Sequence, residues 1–441
     1  MENSGQQQEK KPRVFIKNGT FYVLKNLYEI ELLDKGVNPK FWIRNVHGHD
    51  FIYKANRGEY DGIGEVLYFK LCKAVGYEHR CIVAKPATLA NEDGTEVKGV
   101  LVPSYIKEEY KDKTVRVMSG RTLLNEYAQH VYDNSNGKKI QATHTLKTYL
   151  EMLEYIRHSN MLGENVDVYS NIERRLKFLA LMDYVTCQSD RHWENIDFLL
   201  ITDQDGNKKL KLAPFFDNGH VYNLHMKGDT PKMGVTYRNS KDKDTALKFF
   251  TKKYFQVVPM FGIQTPTYET KVFEREGGGK EVGIRLSKDT KNYDIFVEEL
   301  AALLASDEEL MVCYNKLKSL DFGQVLQDSF VQEDIPDGLV DAVRVISSQR
   351  MLALDQALEK QMVADELGEI EDLEDIETLT ETGTESLADS SEMREASDEL
   401  WRYMTMDIPP DELRGGKAGG VVQDPPKKET PKKQDNGGQG Q

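Results

Sequence analysis

The densest group of side chains that can do chemistry lies between residues 189 and 219. An Asp-Arg-His triplet begins at Asp190 and is followed by Asn195, and an Asp-Asn-Gly triplet begins at Asp217. Phosphoryl transfer requires a carboxylate that orients or deprotonates the attacking hydroxyl, and oxygen ligands that hold magnesium against nucleotide phosphates. Asp190 can supply the base. Asn195 and Asp217 can supply two metal ligands, which is sufficient because water and phosphate complete the octahedron around Mg²⁺.

Two short strand candidates lie between these motifs. Phe198–Thr202 and Leu210–Pro214 are mainly apolar runs, and Asp203–Lys208 between them is rich in turn residues. The open ends of an antiparallel hairpin lie side by side. We therefore predict a hairpin that brings Asn195 and Asp217 together.

The rest of the chain divides into a strand-rich part and a helix-rich part. Six apolar or aromatic runs predict strands: Val14–Lys17, Phe21–Leu24, Phe41–Arg44, Phe51–Lys54, Cys81–Ala84 and Gly99–Ile106. One helical pattern interrupts them, from Ile63 to Val75, and stops at Gly76 as a helix commonly does. Helical periodicity dominates residues 123–185 and 294–360, whereas residues 222–293 are mixed. We predict an α+β fold with a strand-rich lobe (13–110) followed by a helix-rich lobe (111–360).

The net charge of −15 over 441 residues is concentrated near the C-terminus. Residues 361–414 contain 18 acidic and 3 basic side chains, whereas residues 1–360 contain 52 and 50. Acidic and Ser/Thr-rich composition from 361 to 441 predicts a disordered acidic tail. The remainder is near neutral, so its charge gives no support to direct nucleic-acid binding and does not exclude a phosphate-bearing ligand.

The sequence lacks the patterns that are typical of secreted or membrane-spanning proteins. The four cysteines form no CxxC pair, which argues against a zinc ribbon or a secreted disulfide scaffold. Residues 1–14 are polar where a signal peptide needs an apolar core, and the apolar stretch Phe178–Val185 is too short to cross a bilayer. We expect a cytoplasmic protein with no membrane partner.

The paired motifs resemble those of a known family. Asp-Arg-His-x-x-Asn at 190–195, the following hydrophobic strand and Asp-Asn-Gly at 217–219 are similar to the catalytic and metal-binding loops of the HipA-like kinases, within the superfamily of protein kinases and phosphatidylinositol kinases. Leu-Ala-Pro-Phe-Phe-Asp at 212–217 points to the HipA-like branch, whereas phosphatidylinositol kinases share the Asp-Arg-His triplet. The resemblance covers mainly residues 180–220. It implies a two-lobed protein-kinase-like fold, ATP as phosphate donor and Mg²⁺ as cofactor.

The resemblance also implies roles for single residues. Asp190 would be the catalytic base, Asn195 and Asp217 the magnesium ligands, and His192 an active-site residue near the transferred phosphoryl group. The alternative for His192 is a loop histidine that a backbone carbonyl satisfies. Arg191 would either contact substrate phosphate or pair with a carboxylate and hold the loop.

A kinase of this type needs a lysine on a central strand of the small lobe, held by a glutamate on a helix. Lys54 ends a predicted strand and Glu65 begins the predicted helix, although a helix dipole alone also favours glutamate in a first turn. The turn Asn45–Asp50 would cover the nucleotide phosphates. Tyr105 and Ile106 follow a strand candidate and would present hinge backbone groups to adenine.

A glycine-rich segment, Glu276–Lys280, is predicted to be a hairpin turn. It lacks the first glycine of a GxxxxGK phosphate loop and lies between strand-like runs.

These predictions lead to a kinase that transfers phosphate from ATP to a protein Ser or Thr hydroxyl. Toxin-type HipA proteins place a sizeable subdomain before the nucleotide lysine, whereas Lys54 here lies early in the chain, which favours a compact, stand-alone kinase. The alternatives are a lipid or small-molecule kinase, or an inactive nucleotide-binding scaffold that works through its tail.

The tail suggests two further partners. An apolar island from Leu400 to Ile408 suits docking on a groove of a partner protein, and a Ser/Thr-rich stretch at 378–391 offers acceptors for autophosphorylation. An unstructured tail with scattered apolar residues is the alternative.

Overall fold

The computed structural model describes most of residues 14–372. It leaves undescribed residues 1–13, 18–19, 25–30, 33–39, 45–49, 57–60, 91–94, 106–109, 224–238, 240, 244–246, 248–255, 275–279, 287–290, 331–334 and 373–441, and the single positions 111, 138, 141, 165 and 336. The predicted turn at 45–49, Ile106 and the predicted tail beyond 372 lie outside the described residues.

A seven-stranded sheet forms the first lobe in the described part of the chain. Its strands are β1 (Val14–Lys17), β2 (Thr20–Leu24), β3 (Glu31–Leu32), β4 (Lys40–Arg44), β5 (Asp50–Ala55), β6 (Lys85–Ala90) and β7 (Glu96–Pro103). They lie in the order β1-β2-β6-β7-β5-β4-β3. β5 pairs antiparallel with β4 on one side and β7 on the other. Lys54 therefore lies on an interior strand, as predicted.

Helix α1 (Asp61–Ala74) packs against β6 and β7. It ends at Gly76, where φ is 85°, a left-handed conformation that glycine adopts without steric strain from a Cβ. The backbone N–H of Gly76 donates to the carbonyl of Lys73 at 3.0 Å, and that of Tyr77 donates to the carbonyl of Cys72 at 2.7 Å. This is the Schellman pattern of a helix C-terminus, and it confirms the predicted helix and its end.

The strand predicted at Cys81–Ala84 was wrong, because β6 begins at Lys85. Cys81 instead forms a single bridge with Phe215 of the second lobe. The N–H of Ile82 donates to the Phe215 carbonyl, and the N–H of Phe215 donates to the Arg80 carbonyl, both at 2.9 Å. The apolar pattern at 81–84 therefore reflects burial between the lobes rather than membership of the sheet.

Helices fill most of the second lobe. They are α2 (Gly120–Asn134), α3 (Leu146–His158), α4 (Ile172–Val185), α5 (Lys291–Ala305), α6 (Glu308–Lys318), α7 (Phe322–Gln327) and α8 (Leu339–Asp372). The side chains from Phe178 to Val185 on α4 are fully buried. A helix buried on all sides belongs at the centre of a core, so the second lobe is organised around α4.

Four short strands make a second sheet in this lobe. They are β8 (Thr114–Ser119), β9 (Val166–Val168), β10 (Asp197–Thr202) and β11 (Lys208–Leu212), in the order β8-β10-β11-β9. β10 and β11 form the predicted hairpin, with Phe198 opposite Leu212. β8 was not predicted because Met118 is its only buried side chain, so the sequence shows no buried alternation there.

Strands β12 (Tyr268–Glu274) and β13 (Lys280–Leu286) pair antiparallel, with Glu274 opposite Lys280. The glycine-rich residues 275–279 between these strands lie outside the described residues, so the predicted hairpin turn stays a prediction.

The architecture is α+β, with a small strand-rich lobe before a helix-rich lobe, as predicted. Helix α8 continues through the predicted tail boundary at 361 and ends at Asp372. Among the described residues, no helix has the length and apolar content that crossing a membrane requires.

Candidate active site

The loop that follows α4 carries Asp190 and Asn195. Its last residues, Trp193–Asn195, form a 3-10 turn that leads directly into β10. Asn195 is buried, and its Nδ2 donates to the backbone carbonyl of Asp190 at 2.7 Å. The amide nitrogen is therefore used inside the loop, and the amide oxygen is the atom that a metal would take.

Arg191 holds this loop from inside the core. Its side chain is fully buried, and its Nε lies 3.0 Å from Oδ2 of Asp183 on α4. Its Nη1 donates to the carbonyl of Phe216 at 2.6 Å, and its Nη2 donates to Oδ1 of Asn218 at 2.5 Å. Of the two roles considered for Arg191, the structure supports carboxylate pairing, because a fully buried guanidinium cannot reach substrate phosphate.

His144 supports the same loop through the backbone. Its Nε2 lies 2.7 Å from the carbonyl of Arg191, and its Nδ1 lies 3.2 Å from the hydroxyl of Tyr149. These partners suit a neutral ring in which Nε2–H donates and Nδ1 accepts. Burial lowers the pKa of His144 from its ordinary 6.5 to about 3.

We expect the free energy of unfolding to fall as the pH drops below about 6.5. Between pH 6.5 and 3 the unfolded chain binds a proton on His144 that the folded chain excludes, which costs about 1.4 kcal/mol per pH unit. Urea unfolding at about pH 7.5 and pH 5.5 measures the effect. The His144→Gln variant should lose less stability than the wild type over this interval, and an equal loss would contradict the assignment.

Asp217 begins the second loop, three residues after Pro214. Its φ is 56°, in the left-handed region that asparagine and aspartate tolerate better than most residues. Its Oδ1 lies 3.2 Å from Nζ of Lys54 and its Oδ2 lies 3.9 Å from Nζ of Lys40. Lys54, and to a smaller extent Lys40, hold the pKa of the Asp217 carboxyl well below its usual value.

Lys54 and Glu65 form the ion pair predicted for them. Nζ of Lys54 lies 2.6 Å from Oε1 of Glu65, and both side chains are almost entirely buried. The other oxygen of Glu65 accepts a hydrogen bond from the backbone N–H of Asn218 at 3.1 Å. Glu65 therefore connects α1 to Lys54 and to the Asp217 loop.

Gln188 joins the two loops and was not predicted. Its Oε1 accepts from the N–H of Asp190 at 3.2 Å, and its Nε2 donates to the carbonyl of Asp217 at 3.3 Å. One buried amide thus links the backbone of Asp190 to the backbone of Asp217. A lone glutamine before the Asp-Arg-His triplet carries no distinctive sequence signal.

Two histidines lie beside the Asp190 carboxylate. Nε2 of His192 is 4.0 Å from Oδ1, and Nδ1 of His220 is 3.5 Å from Oδ2. The other ring nitrogen of His192 accepts from the N–H of Glu194 at 3.1 Å. His192 therefore lies beside Asp190, while its predicted role near the transferred phosphoryl group stays a prediction. His220 is a further residue beside Asp190 that the sequence motif did not single out.

Tyr105 follows β7, and its side chain makes contacts that the predicted hinge role does not require. Its hydroxyl donates to Oδ2 of Asp197 at 2.5 Å, and its ring stacks on Phe216 at a centroid distance of 5.8 Å. The ring packs against the apolar cluster that contains Ile82 and Val102. The predicted backbone contact of Tyr105 with adenine stays a prediction.

Residues 45–49 of the turn predicted to cover the phosphates lie outside the described residues, so its role stays a prediction. In the strands that flank it, Lys40 of β4 is opposite Lys54 of β5 and Arg44 is opposite Asp50.

The donor set fits one magnesium ion shared with a nucleotide. No cluster of three His, Cys, Asp or Glu residues that could hold a metal occurs in the described part of the chain. Mg²⁺ in nucleotide sites usually takes one or two protein oxygens and completes its shell with phosphate and water. The Asp217 carboxylate and the Asn195 amide oxygen match that requirement.

The arrangement defines a class. Protein kinases combine a lysine–glutamate pair in the sheet lobe with an aspartate and an asparagine on one loop and a second aspartate on another loop of the helical lobe. Lys54, Glu65, Asp190, Asn195 and Asp217 match these residue types and their places in the two lobes. The fold is protein-kinase-like, as predicted from the sequence.

Comparison with known proteins gives distant structural neighbours. No family model and no curated protein matches this chain. The proinflammatory kinase CtkA of Helicobacter pylori is 13% identical, with a TM-score of 0.42 over 76% of this chain and 96% of its own. The Golgi casein kinase is 10% identical, with a TM-score of 0.32 over 76% of this chain and 74% of its own. The MAP kinase LmaMPK10 of Leishmania major is 10% identical, with a TM-score of 0.21 over 85% and 94%.

All three neighbours are described as kinases. Each TM-score lies below 0.5, so the functional conclusion rests on the geometry of the site. The resemblance to the HipA-like branch stays a prediction.

Proposed function

We propose that this protein is an ATP- and Mg²⁺-dependent kinase that transfers the γ-phosphate to a serine or threonine hydroxyl of a protein. The observation that carries the proposal is the Lys54–Glu65 ion pair in contact with Asp217. Protein kinases require this ion pair and the metal-binding aspartate to be in place together. One lysine satisfies both conditions here, because it contacts both carboxylates.

In the proposed reaction the hydroxyl oxygen of the acceptor forms a bond to the γ-phosphorus while Asp190 takes the hydroxyl proton. The bond from the γ-phosphorus to the β–γ bridging oxygen breaks, and ADP leaves with that oxygen. Lys54 binds nucleotide phosphate, and Glu65 fixes the position of its ammonium group. Bound Mg²⁺, with Asn195 and Asp217 as ligands, would neutralise the charge on the phosphate oxygens.

The resemblance to HipA-like kinases and the exposure of Asp190 to solvent both support a protein as the acceptor. The Asp190 side chain is 30% exposed, so an acceptor hydroxyl can approach it from solvent. Its two oxygens face His192 and His220, which also line the approach. The first substrate to test is the protein itself, together with a mixed library of Ser- and Thr-containing peptides.

Incubation with γ-labelled ATP, with and without Mg²⁺, tests the proposal. We expect Mg²⁺-dependent labelling, reduced on the order of 10²- to 10⁴-fold in Asp190→Asn because the base is lost. Asp205→Asn removes an equal charge from the exposed β10–β11 turn and should keep full activity. Mg²⁺-dependent ATP binding without transfer to protein, peptide, lipid or small molecule would favour an inactive scaffold instead.

A further inference from the structure

Lys40 and Lys54 are directly opposite each other on β4 and β5. Residues opposite each other in an antiparallel pair point to the same face of the sheet, with Cβ atoms about 5 Å apart. Two like charges in this position destabilise the sheet. The pair therefore needs an anion on that face.

Asp217 supplies an anion to both lysines. Its two oxygens are divided between them, Oδ1 to Lys54 at 3.2 Å and Oδ2 to Lys40 at 3.9 Å. Lys54 has a second, closer carboxylate, that of Glu65, at 2.6 Å. Lys40 has its described ion pair with Asp217 alone, at the outer limit for such a contact.

This arrangement changes when Asp217 serves as a metal ligand. A cation on the Asp217 carboxylate would compete with both lysines for its oxygens, and Lys54 would keep Glu65. Lys40 would lose its described partner, and its side chain, which is only 20% exposed, would stay on the same face of the sheet as Lys54. An incoming polyanion that lies over this face would replace the lost partner.

On the basis of the proposed function, we propose that Lys40 is a second phosphate-binding cation that contacts the phosphate chain of ATP beside Lys54. The four side chains Lys40, Lys54, Glu65 and Asp217 sum to zero charge. Without Lys40 the remaining three side chains would carry a net charge of −1 and would repel a magnesium–nucleotide complex, which is itself a net anion. Lys40 brings the net charge of the set to zero and so removes this repulsion.

Calorimetric titration with ATP and with adenosine, both in Mg²⁺, tests the role. The Lys40→Gln variant should bind ATP about tenfold more weakly than wild type, the range of one charge-assisted hydrogen bond. Its affinity for adenosine, which lacks phosphates, should be unchanged. Lys40→Arg keeps the charge and should restore most of the ATP affinity.

The control is Lys73→Gln, which removes the same charge from an exposed position on α1 in the same lobe. It should bind both ligands as the wild type does. An unchanged ATP affinity in Lys40→Gln, or an equal loss for ATP and adenosine, would overturn the inference while leaving the proposed function intact. A wild-type protein that binds neither ligand would overturn the proposed function itself, and the Lys40 inference with it.

Discussion

The Asp217→Asn variant should lose phosphate transfer, by about 10³-fold or more, and still fold. Asparagine has the same shape and tolerates the left-handed backbone at φ 56°, so the loop keeps its conformation. It lacks the negative charge that a divalent cation needs, and metal ions supply several kcal/mol of charge stabilisation in phosphoryl transfer. Alanine at this position would add backbone strain of about 1–2 kcal/mol, which is why asparagine gives the cleaner test.

Stability in Asp217→Asn should fall modestly, because Lys40 and Lys54 lose an anion that they share while Lys54 keeps Glu65 at 2.6 Å. Labelled-phosphate transfer and thermal unfolding are measured on the same preparation, with Asp205→Asn as the charge-matched control. Activity within tenfold of the wild type would remove Asp217 from the metal site.

Local patterns were sufficient to predict the helix and the hairpin that carry or flank the candidate site residues. The glycine at 76 predicted the end of the helix that carries Glu65. The apolar runs on each side of Asp203–Lys208 predicted the hairpin between Asn195 and Asp217. Each of these signals depends on neighbours within a few residues. Such signals can be read from one sequence.

The residues that were missed depend on contacts between distant segments. Lys40 faces Asp217 because of the β4–β5 register, and Gln188 joins the two loops through backbone atoms. The wrong strand prediction at 81–84 has the same origin. A pattern of apolar residues shows that a segment is buried, but it does not show what the segment is buried against.

The connections between the two lobes explain how these distant contacts form one site. Tyr68 on α1 donates to Oδ1 of Asp183 at 3.1 Å, and Asp183 pairs with Arg191. Arg191 in turn binds Asn218, whose backbone N–H donates to Glu65 on α1 again. The chain of contacts is closed, so α1, the loop that carries Asp190 and the Asp217 loop position one another.

The Asp183→Asn variant should lose about 3–5 kcal/mol of unfolding free energy, the cost of leaving a buried charge without its partner. Burial lowers the pKa of Arg191, but nearby groups, with the Asp183 carboxylate foremost, together raise it above its ordinary value. Arginine is not deprotonated in proteins, so Arg191 stays charged in the variant. Asparagine keeps the size of Asp183, so a cavity cannot account for the loss. Urea unfolding at neutral pH measures it.

An exposed pair of the same type provides the comparison. Arg121 and Glu194 also lie 3.0 Å apart, but their side chains are 46% and 53% exposed. Glu194→Gln should therefore cost at most about 1 kcal/mol, because solvent screens the charge that remains. Equal losses in the two variants would mean that the Asp183–Arg191 pair is no more than an ordinary ion pair. A large loss in Asp183→Asn alone would show that the closed chain of contacts depends on this buried charge pair, since no other anion in the described part of the chain lies within ion-pair distance of Arg191.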